Sequence, residues 1–88
     1  EGDNSKYFLP TEDAVKKLLK APSTADFPAW YKGWNLSAKD GIVTVSSYVD
    51  AQNSFGAMIR STFVAQYKIS DGSGIYFEFD GQVYLDKR

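Results

Sequence analysis

The chain contains no cysteine and no histidine. Without thiols there is no disulfide framework, no thiol nucleophile and no thiolate metal site. Without imidazole as well, Ser-His-Asp and Cys-His machinery is excluded, as is every zinc site built from these two ligand types. No apolar run approaches the roughly 20 residues of a membrane span, and no signal peptide is present. Neither sign of charge prevails. Ten Lys and Arg stand against eleven Asp and Glu, a formal charge of -1. That balance lacks the basic excess that phosphate neutralisation needs, so nucleic acid is not an expected partner. There are no internal repeats, no low-complexity segments and no cofactor motif, so no cofactor and no metal ligand is expected.

What is present is 88 residues of 43% hydrophobic and 16% aromatic content. That suits one small core, which buries roughly 60 to 70% of the surface the unfolded chain exposes. Residues 1–5 are polar and small and read as a flexible tail or linker, and residues 6–88 as a single domain. The chain begins at Glu1 rather than methionine. A processed export product and an excised domain both look like this.

The clearest pattern runs from Gly41 to Ile69. Val43, Val45, Val49 and Ala51 alternate on one strand, and Ile59, Phe63, Ala65, Tyr67 and Ile69 on the next. Both inner sets are odd-numbered, so paired positions sum to an even value. A turn at Ser54, Phe55 and Gly56 makes that sum 110. Val45 then faces Ala65 and Val43 faces Tyr67. On the outer side the same register sets Asp50 against Arg60, Tyr48 against Thr62 and Thr44 against Gln66.

Upstream, Thr11 reads as a helix N-cap followed by Glu12 and Asp13, with Val15, Leu18 and Leu19 on one face and Pro22 as the stop. Ser23 to Pro28 suits a short turn, with Phe27 in the core. Trp30, Lys32, Trp34 and Leu36 alternate, which predicts a short strand within Ala29 to Asp40. Downstream, Ile75, Phe77 and Phe79 are expected to pair with Ile69, Tyr67 and Ala65. Asp80-Gly81 then turns into a last strand. A plain two-residue turn there would send Val83 and Leu85 outward, so either a bulge intervenes or that side is covered. The fold class is α+β: one N-terminal helix packed on a mostly antiparallel meander sheet of three to five strands, in two layers.

Two motifs now carry a resemblance. Residues Leu19 to Pro28 fit L-K-x-P-S-T-A-x-F-P, and residues Tyr48 to Arg60 fit Y-V-D-A-Q-N-S-F-G-A-x-x-R. Together they resemble a small bacterial and phage-associated domain family of uncharacterised function, found among exported lipoproteins and membrane-tethered proteins. The match covers about half the chain and ends by Ile69. It implies an extracytoplasmic setting, secreted or membrane-tethered, and brings no catalytic residues with it.

Two groups of side chains are candidates for binding. Asp50, Asn53 and Arg60 cluster at one turn, where Arg60 offers a fork to a carboxylate or phosphate. The plainer reading is a turn locked by Asn53 beside a cross-strand Asp50–Arg60 pair. Trp30, Trp34, Tyr48 and Tyr76 exceed what one inner face needs, and would form a platform for a protein or sugar unless they close the core. An enzyme would have to use carboxylates such as Asp50 and Glu78, the arrangement of a glycoside hydrolase. The expectation is a non-catalytic interaction module for a protein or cell-envelope component. A structural or accessory domain of a larger exported protein is the alternative, and a carboxylate hydrolase stands behind both.

Overall fold

The computed structural model describes residues 5–29 and 32–88. A helix, α1 (Ser5–Leu18), leads through a 3-10 turn at Pro22–Thr24 into five strands: β1 (Asn35–Lys39), β2 (Ile42–Gln52), β3 (Met58–Lys68), β4 (Gly74–Phe79) and β5 (Gln82–Asp86). Each strand pairs antiparallel with its neighbour in sequence, in the order β1-β2-β3-β4-β5. This is the expected two-layer α+β meander.

The central register is as derived. Val45 pairs with Ala65, Val43 with Tyr67, Asp50 with Arg60 and Tyr48 with Thr62, all summing to 110. Parity decides this because a one-residue slip would turn the Val43, Val45 and Val49 row out to water. Burial alternates along all but the last residue of β2 as a result. Ile59 and Ile69 share that parity yet are half-exposed, because they lie toward the two ends of the long hairpin, outside the core cluster.

The helix begins earlier than its sequence signals suggest. Thr11 is not a cap but a fully buried residue inside α1, its hydroxyl donating to the Tyr7 carbonyl at 2.7 Å and hydrogen-bonded to Tyr67 Oη at 2.5 Å. Pro10 misleads here: it lacks the N–H that would bond one turn back, so it reads as a helix start. The stripe buried by the helix is Tyr7, Phe8, Thr11 and Val15, continued by the half-buried Leu18 and Leu19. Burial pushes the Tyr67 phenol up from its ordinary pKa, against the opposing effect of its bond to Thr11.

Trp34 is a core residue and not part of a platform. It is 9% exposed, its ring lying 4.7 Å from Phe8 and 5.3 Å from Phe63, centroid to centroid. The indole N–H donates to the Pro28 carbonyl at 2.9 Å, which satisfies the one polar atom it buries. Phe27 completes the cluster, edge-on to Phe63 at 6.0 Å. Trp30, the other tryptophan of the expected platform, lies outside the described residues.

Segment 22–34 explains the first motif. β1 pairs with β2 only as far as Ser46, and beyond it the motif meets that edge at Asp50 and Gln52. Asp26 exchanges two backbone bonds with Asp50, at 2.8 and 3.1 Å. Thr24 Oγ1 accepts the Gln52 N–H at 2.9 Å while donating to the Ala21 carbonyl at 2.6 Å. Ser47 Oγ donates to the Gly33 carbonyl at 2.7 Å. The threonine and aspartate thus close the edge of a central strand.

Two registers differ from expectation or refine it. Phe79, Phe77 and Tyr76 pair with Phe63, Ala65 and Gln66, two residues away from the expected alignment, and a shift follows between Gln66 and Tyr67. The faces of Phe77 and Phe79 survive because the error is even. Ile75 is buried but outside the core cluster, and instead lines a groove with Thr44 and Gln66 on the other face. After Asp80-Gly81 the first of the two alternatives, a bulge, is present: Phe79 faces Gln82 and Glu78 faces Val83, then the ladder shifts so that Leu85 rejoins Phe77. Asp40-Gly41 makes an equivalent tight turn between β1 and β2, with positive φ at both residues.

Candidate functional site

The outer face of the sheet carries the expected polar cluster. Asp50 and Arg60 form a two-pronged pair, Nε to Oδ1 at 2.8 Å and Nη2 to Oδ2 at 3.0 Å. The guanidinium also lies over the Tyr48 ring, 4.0 Å from its centroid. The paired bonds hold the Asp50 carboxyl below its ordinary range and raise Arg60 further. Asn53 stands apart from this group. Its side-chain oxygen accepts the N–H groups of Phe55 at 2.9 Å and Ala57 at 3.1 Å, so it locks the turn. Gly56, at φ +84°, supplies the left-handed residue the turn requires.

Tyr76 repeats the motif of Tyr48 elsewhere on the face. The Arg88 guanidinium lies 4.1 Å from its ring centroid and is itself paired with Asp86 at 3.0 Å. Tyr76 donates its hydroxyl proton to Glu78 Oε1 at 2.6 Å, and this bond raises the phenol's pKa. The two clusters are four residues along and two strands across from one another, roughly 16 Å by strand geometry. They do not merge. With Trp34 in the core and each tyrosine capped by an arginine, the described residues assemble no continuous aromatic platform.

The two candidate carboxylates, Asp50 and Glu78, are not brought together: they lie two strands apart and four residues along. Both Asp50 oxygens are taken by Arg60 and one Glu78 oxygen by Tyr76. A hollow of about 890 Å³ beside Tyr48, walled by Pro28, Lys32 and Gly33, has no carboxylate in its described lining. Among the described residues no three Asp or Glu side chains gather to hold a metal ion, and no helix is long and apolar enough to cross a membrane.

The feature that residue patterns passed over is the turn itself. Phe55 is 92% exposed at the tip of the β2–β3 hairpin, with Met58 at 54% and Ile59 at 48% behind it. The loop beneath it is closed on its own backbone, Asn53 N–H to the Ala57 carbonyl at 2.9 Å and Gly56 N–H to the Asn53 carbonyl at 3.0 Å. A phenylalanine in the middle of a turn was the available signal, since turn positions ordinarily go to polar residues.

No protein-family model matches the chain, and neither a curated protein nor a solved structure matches it. The site is therefore read from its own geometry.

Arg60 provides a check on that geometry. Its side chain is 60% exposed, so water competes for both members of the pair. Arg60→Ala is expected to leave the thermal midpoint close to that of the wild type. A large fall in a melting scan would mean that this face is covered in solution.

Proposed function

We propose that this chain is a non-catalytic interaction module that grips a protein or cell-envelope partner with the tip of its central hairpin. The observation that carries the reading is Phe55, a large apolar side chain almost wholly in water on a turn fixed by four hydrogen bonds. Folding gains little from such a residue, whereas a partner's apolar pocket gains most of its hydrophobic transfer energy. A tip already ordered loses little further freedom on binding. Arg60 and Tyr48, a few residues down the same hairpin, supply a polar flank of the kind that rims apolar anchors. The two sequence motifs extend the proposal to an extracytoplasmic, tethered or secreted setting, and to kinship with the small bacterial and phage-associated domains they resemble.

The test uses a photo-crosslinking amino acid placed at Met58 in cells producing the full-length protein, with a second probe at Lys17 on the far side of the domain. A discrete adduct is expected from the Met58 probe alone, lost when Phe55→Asp is added, with unchanged melting of the purified domain. Adducts that persist in Phe55→Asp, or none at all, would overturn the reading.

A further inference from the structure

A groove of about 690 Å³ crosses the outer face at the end remote from Phe55, and it is lined by Lys39, Lys68, Lys87 and Arg88. The convergence is a product of the meander: Lys39 closes β1, Lys68 closes β3, and Lys87 and Arg88 follow β5. Their floor is Thr44, Gln66 and Ile75. In a chain whose formal charge is -1, four cations around one depression make a local excess of the opposite sign.

The carboxylates nearby are largely engaged with other groups. Asp86 is bonded to Arg88 through both oxygens, at 3.0 and 3.2 Å. Asp71, close enough to feel Lys68, is held by Ser73 N–H at 3.0 Å and Ser73 Oγ at 2.8 Å, bonds that lower its pKa. Asp40, in the left-handed turn after Lys39, is the only carboxylate among the described residues of the groove lining. The three ammonium groups of Lys39, Lys68 and Lys87 enter no ion pair among the described residues.

We propose that this groove is a docking site for an extended acidic polypeptide segment. Charge complementarity selects the occupant: three ammoniums without an ion pair line the groove, and a peptide can space its carboxylates past Asp40, whereas a continuous polyphosphate such as nucleic acid would bring charge against it. Spacing selects it further. Lys39 and Lys68 stand two strands apart, as do strands β3 and β5, and each interval is about 10 Å. A polyproline II chain, with three residues per turn and a rise of about 3.1 Å, presents every third carboxylate on one side at intervals of about 9 Å, close to that spacing. The recessed floor of Thr44 and Ile75 admits a narrow chain but keeps a flat lipid surface at a distance.

The test is titration of isotopically labelled protein with a twelve-residue peptide carrying Glu at every third position, alongside the same peptide with Gln in place of Glu. The Glu peptide is expected to shift the amide signals of Lys39, Lys68, Ile75 and Lys87, the Gln peptide to leave them unmoved, and added salt to weaken the effect. Lys39→Glu/Lys68→Glu/Lys87→Glu should reduce affinity at least about tenfold, while Lys17→Glu/Lys20→Glu on the helix side should not; both variants are checked by melting. The proposal is overturned if the Gln peptide binds equally, if the helix variant loses as much affinity, or if shifts fall outside the groove. It is overturned equally if anionic vesicles or oligonucleotides bind there and the Glu peptide does not. The Phe55 reading is untouched by any of these outcomes, since its crosslinks report the opposite end of the hairpin.

Discussion

Phe63→Ala is expected to cost about 3–5 kcal/mol, the upper range for removing an aromatic ring from a core. Phe63 is 1% exposed and sits where both layers meet: Trp34 lies on it at 5.3 Å, Phe27 at 6.0 Å, and Phe79 is its partner across the sheet. None of these neighbours moves easily into the space. Trp34 is tethered through Pro28 and Phe79 is held in the ladder. Small domains have total stabilities of about 5–15 kcal/mol, so the loss removes a large share of what holds the fold. Urea titration followed by tryptophan fluorescence measures it. A loss below about 1 kcal/mol would show that the aromatic cluster is not the centre of the core.

The second large effect comes from adding a single methyl group. A Cβ on Gly33 would lie 2.2 Å from Pro28 Cβ and 2.6 Å from Pro28 Cγ, far inside van der Waals contact. A proline ring cannot rotate out of the way, so backbone must move. The backbone in question is committed: the Gly33 carbonyl receives Ser47 Oγ, its N–H donates to the Ala29 carbonyl at 3.1 Å, and the next residue is Trp34. Gly33→Ala should therefore destabilise by about 1–3 kcal/mol, as overpacked sites do. Gly74→Ala is the control, since its Cβ would meet only the Tyr67 ring at 3.6 Å, an ordinary contact. Denaturant midpoints for the two should separate clearly. Equal midpoints would mean that Pro28 and Gly33 can move apart without cost.

How far the fold could be read depended on whether a pattern had a competitor. The β2–β3 register had none, because one buried face and an even sum leave a single solution. At β5 the pattern left two solutions, a bulge or a covered outer side, and the ladder takes the bulge, which returns Leu85 to Phe77. The β3–β4 alignment was two residues off because the irregularity at Gln66 and Tyr67 leaves no mark in local residue types. Asp40-Gly41 carried the same turn signature as Asp80-Gly81, but the weak strand before it, exposed at every position, hid its meaning. The helix start was masked by Pro10. At the site, the Asp50–Arg60 pair and the Asn53 lock followed from register and turn chemistry. The place of Trp34 did not, since an aromatic residue alternating with polar neighbours suits a platform and a core plug equally well. Phe55 was seen only as part of a turn, because exposure at a hairpin tip depends on how far the hairpin projects beyond its support.

The closure of the β2 edge by Thr24 and Asp26 also bears on how this molecule behaves when crowded. An eleven-residue strand whose backbone donors faced solvent over half its length would be a template on which other chains could polymerise. With Asp26 bonded at Asp50 and Thr24 at Gln52, that template is interrupted at two of its residues. The sheet is left with two true edges, β1 and β5, each only five residues long and ending in charged residues. Short, charged edges recruit further strands poorly. The motif at the end of the helix therefore guards this edge against pairing with further strands, through the backbone of Asp26 and the hydroxyl of Thr24, neither of which lies in a named strand.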